Sequence, residues 1–142
     1  MAEVLTQLRQ ICGDAHVLTD QDLSAFERDW RGRAQGKALC VVRPASTTEV
    51  AAVVKTCAAA GVPMVPQGGN TGLVMGSTPD DSGREVVLSL QRMNAVRALD
   101  AANATLTVEA GCVLEHLQQV ADDAGFLFPL SLASEGQLHH RR

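Results

Sequence analysis

The sequence predicts an α/β fold, in which a small and mostly parallel sheet is followed by a mixed α+β piece. An apolar run, a capped helix and a second apolar run follow one another between residues 38 and 65. A third apolar run lies at 85–90, and residues 96–124 contain two short alternating runs and an amphipathic segment. A chain of 142 residues is long enough for one domain with its own hydrophobic core.

The central elements form a predicted βαβ unit. Ala38–Val42 is an apolar run that predicts a buried strand. The segment Ser46-Thr47-Thr48-Glu49 fits a capping box, and the helix that it opens should end at Gly61. Val62–Val65 is the predicted second strand and Glu85–Leu90 the third. The strands of such a unit should be parallel and joined by a right-handed crossover.

The flanking segments are predicted to be an arm and a second, mixed piece. Residues 1–36 should pack on the main body, with a helix over 1–12, a brief capped turn after Thr19 and Trp30 as the anchor. After the third strand we expect a hairpin, a helix ending at Gly125 and a short extended piece; these cover Val96–Leu99 with Thr105–Val108, Val113–Ala124 and Phe126–Pro129. We therefore predict two parts, an arm at 1–36 and a domain at 37–142.

Composition and charge argue against several functional classes. The formal net charge is −4 and the basic residues are scattered, which disfavours a nucleic-acid binder. No apolar run is long enough to span a bilayer, and the start of the chain does not resemble a secretion signal. The four cysteines show no C-x-x-C spacing and behave as small core residues of a reducing compartment. These features predict a cytoplasmic chain, with a peripheral membrane association left open.

A long glycine-rich loop over 66–83 is the segment that carries chemistry. Successive glycines permit positive φ, so that consecutive N–H groups can form an anion nest, and Asn70, Thr71 and Ser77 can add side-chain donors. No Gly-Lys-Ser/Thr ending is present, as a Walker loop requires, and the later glycines and Pro79 disfavour the helix of a Rossmann fingerprint. On spacing alone, a phosphate-binding loop and a purely structural glycine turn both remain open.

Several motifs in combination resemble one family. They are Asp29-Trp30-Arg31-Gly32, the segment from Val42 to Val50, the loop Pro66-Gln67-Gly68-Gly69-Asn70-Thr71-Gly72-Leu73, the segment Glu85–Asn94 and Thr107–Gly111. The chain thereby resembles, from about residue 20 to 136, the FAD-binding domain of FAD-linked 2-hydroxy-acid dehydrogenases. That family includes D-lactate, glycolate and D-2-hydroxyglutarate dehydrogenases and belongs to the vanillyl-alcohol oxidase, or PCMH-type, superfamily.

The resemblance implies a cofactor, a reaction and a set of site residues. The loop would wrap the FAD pyrophosphate, with contacts from Pro66, Gln67, Gly68, Gly69, Asn70, Thr71, Gly72, Leu73, Gly76 and Ser77, and from Gly136 in a second strip. Related enzymes with covalent FAD often carry His at the position of Asn70, which implies noncovalent FAD here. The implied reaction oxidises a 2-hydroxy acid to a 2-keto acid, with the flavin accepting a hydride. The implied partners are that substrate and an electron acceptor.

The end of the chain departs from the family pattern. A second glycine-rich strip should follow Gly136, whereas residues 137–142 read Gln-Leu-His-His-Arg-Arg. Codons can be chosen such that one inserted base converts the expected strip into this tail, so we hypothesise a single-base insertion near codon 137. A nucleotide sequence in which no reading frame restores the glycine-rich strip would contradict this hypothesis. A metal site at His139 and His140 is disfavoured because adjacent residues share no face. No catalytic or metal-binding residue of the family maps onto this chain, so we expect it to be inactive alone; the alternatives are a stand-alone FAD- or phosphate-binding module and a non-functional relic.

Overall fold

The computed structural model describes residues 1–132, and the chain divides into two compact units, residues 1–92 and 93–142. The first unit contains α1 (Ala2–Cys12), a 3₁₀ turn (Asp14–His16), β1 (Val17–Leu18), α2 (Ser24–Glu27), β2 (Ala38–Val42), α3 (Thr47–Ala59), β3 (Met64–Gln67) and β4 (Glu85–Ser89). The second contains β5 (Val96–Asp100), β6 (Thr105–Val108) and α4 (Leu114–Asp123). No helix among the described residues has both the length and the apolar character needed to cross a bilayer.

The sheet of the first unit has the order β1-β2-β4-β3. Strands β2 and β3 are both parallel to β4, which lies between them, and β1 is antiparallel to β2. The parallel direction predicted for the strands on either side of the central helix is therefore confirmed, although they are not neighbours. Strand β1 is missing from the sequence prediction because two residues are too few to show a periodic pattern.

Helix α3 begins and ends as its sequence predicts. The Ser46 hydroxyl accepts from the Glu49 N–H at 3.2 Å, and the Glu49 carboxylate accepts from the Ala45 N–H at 2.8 Å. After the helix, Gly61 has φ 64°, and the Val62 N–H donates to Cys57 O at 2.9 Å. That bond keeps Val62 out of the sheet and Pro63 has no N–H, so the predicted strand Val62–Val65 is found two residues later, at Met64–Gln67.

Apolar side chains cover both faces of this sheet. Helices α1 and α3 pack on one face, in a core that includes Leu8, Cys40, Val53 and Val86, all fully buried. A second, smaller cluster consists of Leu23, Ala38, Val41 and Val87. The alternation of Val86, Val87 and Leu88 between these two clusters is the side-chain alternation of a strand buried on both faces.

The first 36 residues, the predicted arm, are part of the first unit and contribute buried side chains to both of its apolar clusters. Residues 14–36 are more ordered than expected, because Arg28 and Gln35 form an antiparallel bridge that closes a short hairpin around the half-buried Trp30. The division at 36/37 remains a prediction, since the two compact units meet at 92/93.

The second unit contains the predicted hairpin and helix. β5 and β6 pair antiparallel across a turn in which Asp100 Oδ1 accepts from the Asn103 N–H at 3.1 Å. Helix α4 ends before Gly125, which has φ 80°, and the Phe126 N–H donates to Ala121 O at 2.8 Å. The extended piece expected at 126–129 forms no strand, because the N–H of its first residue is used in this helix cap.

Candidate functional site

The glycine-rich loop leaves the sheet at the carboxyl end of β3. Gln67 pairs in register with Ser89, the last residue of β4, so the loop begins beside the carboxyl end of a neighbouring parallel strand. In open α/β sheets, ligands bind outside the carboxyl ends of the strands. The position of the loop therefore agrees with the ligand-binding role that the sequence predicts.

Gln67 lies beneath the loop and ties it to the arm. Its side chain is 1% exposed, and Nε2 donates to Phe26 O at 2.9 Å and to Ser77 O at 2.8 Å. Both amide hydrogens are used, since Nε2 carries two. The structure therefore gives Gln67 a role in holding the start of the loop to Ser77 in its middle and to the arm.

Asn70 joins the same two segments from the loop side. Its Nδ2 donates to Arg28 O at 2.8 Å and to Ala25 O at 3.3 Å, and its Oδ1 accepts from Ser77 Oγ at 2.9 Å. The backbone of Asn70 has φ 54°, in the region that asparagine enters more readily than most residues. Of the three side-chain donors predicted for the loop, Asn70 and Ser77 are thus engaged within the protein.

The arm residues that receive these bonds are held by an internal carboxylate. Asp29 is 5% exposed, and its oxygens accept from the Ala34 N–H at 2.6 Å and the Arg31 N–H at 3.1 Å. These bonds, with that from Ala34 the strongest, lower the pKa of Asp29 against the opposing effect of burial. The ionised carboxylate therefore organises the hairpin whose Arg28 carbonyl holds Asn70.

The far side of the loop is fixed by the last residue of the arm, Gly36, and by Lys37, which follows it. The Lys37 N–H donates to Asp80 O at 2.6 Å, and a Cβ at Gly36 would overlap Pro79 O. Asp80 in turn accepts, through Oδ1, from the Ser82 N–H at 2.9 Å. The loop is therefore anchored on both sides, and residues 71–76 form its projecting tip.

The backbone of the tip differs from the prediction. Between Gly68 and Ser77, positive φ values fall on Asn70 and Met75, at 54° and 63°, and not on Gly68, Gly69, Gly72 or Gly76, whereas Gly83 near the end of the loop has φ 68°. The positive φ that the glycines permit is therefore found at Gly83 and at none of the four glycines before it in the loop. The hydrogen bonds of Asn70 hold a conformation that would otherwise cost energy. The side chains of Leu73, Val74 and Met75 are exposed, Val74 at 88%.

The loop nevertheless offers a run of free donors. Within residues 1–132, no backbone N–H from Gly68 to Ser77 donates a hydrogen bond, and the Thr71 hydroxyl also makes none. The space around two of the loop glycines is open: a Cβ on Gly72 would first meet Ser77 Oγ at 3.9 Å, and one on Gly76 nothing within 4 Å. Neutral N–H groups with room for close approach fit a pyrophosphate without a lysine or arginine. The residues present therefore fit the diphosphate part of FAD.

One polar group at the same edge was not predicted. The Ser89 hydroxyl is fully buried beside Gln67 and makes no hydrogen bond within the described residues. Sequence reasoning also missed the carbonyls of Ala25, Phe26 and Arg28, since no local pattern marks an acceptor some forty positions from its donor. Gly136 and the tail 137–142, including His139 and His140, lie outside the described residues.

Comparison with known proteins agrees with this site. The model of the FAD binding domain family matches residues 38–138. The chain is 40% identical over 136 residues to "Probable D-2-hydroxyglutarate dehydrogenase, mitochondrial" of Oryza sativa subsp. indica, covering 95% of this chain and 24% of that protein. It is 39% identical over 124 residues to the mitochondrial D-2-hydroxyglutarate dehydrogenase of Bos taurus, covering 87% and 22%.

A solved structure gives the same result for the fold. The 4-ethylphenol oxidase of Gulosibacter chungangensis, in complex with isoeugenol, superposes with a TM-score of 0.74 at 25% identity, over 87% of this chain and 24% of that one. The chain thus spans about a quarter of the length of the proteins it matches.

These comparisons correct one prediction and confirm three others. The cytoplasmic location expected from composition is wrong, because the relatives from rice, Arabidopsis thaliana and cattle are named as mitochondrial proteins. The fold, the FAD cofactor and the family that the motifs resemble are confirmed. With its family model matched over 38–138 and its glycine-rich loop at the carboxyl end of a parallel strand, this chain belongs to the FAD-binding domain family of FAD-dependent oxidoreductases.

Proposed function

We propose that this chain is the FAD-binding portion of an enzyme that oxidises a 2-hydroxy acid to a 2-keto acid. The observation that carries the proposal is the run of N–H groups from Gly68 to Ser77, at the carboxyl end of β3, that donate no hydrogen bond to any residue of 1–132. The substrate class is supported by relatives whose names specify D-2-hydroxyglutarate.

In this proposal, main-chain groups hold the FAD pyrophosphate. Gly68, Gly69, Gly72 and Gly76 give backbone N–H groups close access, and Leu73 and Thr71 belong to the same tip. Gln67 and Ser77 act from below through the hydrogen bonds that close the loop, and Pro66 leads into it. The predicted contact from Gly136 remains part of the proposal.

We propose noncovalent FAD binding. Asn70 presents a carboxamide, which lacks the nucleophilic ring nitrogen through which a histidine can be linked to a flavin. Its side chain is also occupied by three hydrogen bonds inside the protein. The bound flavin would supply hydride acceptance, while the chain itself binds and orients the diphosphate.

Titration of the purified 142-residue chain with FAD tests the cofactor assignment. We expect saturable binding by flavin fluorescence anisotropy, and full release of the flavin into the supernatant after acid precipitation. A chain that binds no FAD would contradict the proposal and favour a relic. Flavin that stays with the acid-precipitated protein would contradict noncovalent attachment.

Turnover assays test the division of labour within the enzyme. D-2-hydroxyglutarate, D-lactate and glycolate are supplied with an artificial electron acceptor to the FAD-loaded chain. We expect no reduction of the acceptor, because the chain spans about a quarter of the relatives' length. Reduction that depends on one of these acids would show that the chain is a complete catalyst and would overturn the proposal that it is only the FAD-binding portion.

A further inference from the structure

Both polar groups of the Asn70 side chain, Nδ2 and Oδ1, form hydrogen bonds within the protein. Both Nδ2 hydrogens are directed to arm carbonyls, at 2.8 Å to Arg28 O and 3.3 Å to Ala25 O, and Oδ1 accepts from Ser77 at 2.9 Å. A phosphate oxygen needs a donor, and the carboxamide has only these two N–H bonds to give. Asn70 therefore has no side-chain donor left for a phosphate while these bonds persist.

We infer that Asn70 is a positioning residue for FAD, which fixes the loop by its hydrogen bonds to Ala25 and Arg28 of the arm and does not bind the cofactor with its side chain. This inference rests on the proposed function of the loop. It differs from the sequence prediction, in which the Asn70 side chain was one of the donors to the ligand.

The backbone of Asn70 shows why the loop depends on these bonds. A positive φ is costly for a residue with a side chain, and it persists where surrounding contacts hold it. Here the contacts come from arm residues 42 and 45 positions earlier in the chain, and Gly36 and Lys37 hold the far side of the loop at Pro79 and Asp80. The free N–H groups between these anchors keep their direction because both anchors are fixed.

Two substitutions separate the side chain from the backbone angle. Asn70→Gly removes the carboxamide and leaves positive φ freely accessible. Asn70→Asp keeps the size of the side chain and directs a carboxylate at two carbonyl oxygens. Far-UV circular dichroism verifies that each variant is folded, and Gln7→Glu on the exposed side of α1 controls for an added negative charge.

The first measurement uses the apo chain. Trp30 is the single tryptophan, the chain has no tyrosine, and Trp30 lies in the hairpin whose Arg28 carbonyl receives the Asn70 amide. We expect both Asn70 variants to shift Trp30 emission to the red and to increase its quenching by acrylamide, with Gln7→Glu like the wild type. Unchanged Trp30 emission in both variants would overturn the inference, because the arm would then not depend on Asn70.

The second measurement is FAD affinity, by flavin fluorescence anisotropy. We expect Asn70→Gly to weaken binding about tenfold. Gly36→Ala, which displaces the arm from Pro79 without touching the tip, should weaken it similarly. Combined, the two substitutions should weaken binding by less than the product of their separate effects, because they disrupt one anchor system.

The outcomes separate this inference from the proposed function. Weaker FAD binding by Asn70→Gly with an unchanged Trp30 signal and full additivity with Gly36→Ala would assign Asn70 a direct contact instead. A wild-type chain that binds no FAD would contradict the proposed function, and the inferred role toward FAD would fail with it. The apo Trp30 measurement would still decide whether Asn70 holds the arm.

Discussion

The buried amide of Gln67 donates to the main-chain carbonyl of Ser77, ten residues later, at 2.8 Å. This bond closes the base of the glycine-rich loop, and the second N–H of the same amide reaches Phe26 in the arm. The start of the loop, its residue Ser77 and the arm thus meet at one side chain that is 1% exposed. Substitution of Gln67 should lower the stability of the fold, and any effect on cofactor binding should follow from that loss of stability.

Gln67→Met should destabilise the fold by about 1–3 kcal/mol, because it leaves two part-buried carbonyl oxygens without their donors. Urea unfolding followed by circular dichroism measures the change. Gln91→Met, at an exposed position, is the matched control and should stay close to the wild type. Equal stability of both variants would show that the Gln67 bonds contribute nothing net.

Two serines should respond to alanine in opposite directions. Ser46→Ala removes the N-cap of α3 and should cost about 1 kcal/mol. Ser89→Ala removes a buried hydroxyl that has no partner within the described residues, so stability should stay equal or rise. Urea midpoints of the two variants measured side by side test this pair, and a loss of similar size at Ser89 would mean that its hydroxyl is hydrogen-bonded.

Acid should weaken the hairpin that holds Asn70. The backbone hydrogen bonds from Ala34 and Arg31 lower the pKa of Asp29 in the folded chain below its unfolded value of about 3.9. Its contribution to stability is therefore complete above pH about 4 and is lost as the pH falls through the folded pKa. Asp29→Asn should be less stable at pH 7 and should show a shallower loss of stability on acidification.

Urea midpoints between pH 2.5 and 7 measure this effect of Asp29. The exposed Asp81→Asn variant is the control for removing one negative charge. Parallel pH profiles for the wild type and Asp29→Asn would mean that the Asp29 carboxylate does not stabilise the fold.

Three of the four cysteine thiols should react slowly with a thiol reagent, and the fourth should react rapidly. Burial raises the pKa of Cys12 to about 11 and that of Cys40 to about 12, and it also raises the pKa of Cys57. Cys112 is only partly buried. Since the thiolate is the reactive form, Ellman's reagent at pH 8 should label one thiol rapidly in the native chain and four in urea. Cys112→Ser should abolish the rapid phase, and a rapid phase that survives would place the reactive thiol in the core.

A larger side chain in place of Gly72, at the loop tip, should weaken FAD binding. Gly72→Val introduces a branched side chain where a single Cβ already lies 3.9 Å from Ser77 Oγ. Since the tip is exposed, the urea midpoint should change little, whereas FAD affinity should fall about tenfold because the backbone can no longer approach the diphosphate. Unchanged FAD affinity would place the cofactor away from Gly72.

The local features of this chain could be predicted from sequence, and the long-range ones could not. The cap at Ser46 and the helix end at Gly61 depend on neighbouring residues, and both are found as predicted. The insertion of β4 between β2 and β3 depends on which strand edges meet in three dimensions, which local patterns do not encode.

The loop shows the same division. Its glycines identify its position and its open backbone, but one of its positive φ values lies at Asn70, where carbonyls 42 and 45 residues away stabilise that conformation. A glycine pattern indicates where positive φ is permitted, and at Asn70 tertiary hydrogen bonds stabilise it at a residue other than glycine.

The outer edge of the sheet has a consequence for self-association. The Val86 N–H donates to Pro63 O and the Leu90 N–H to Gln67 O, so odd-numbered residues of β3 face β4 and even-numbered ones face outward. The outward positions within β3 are Met64 and Pro66, and proline has no N–H. A strand from a second molecule would find one amide donor along this border, so the segment that leads into the cofactor loop is also poorly suited to seed aggregation.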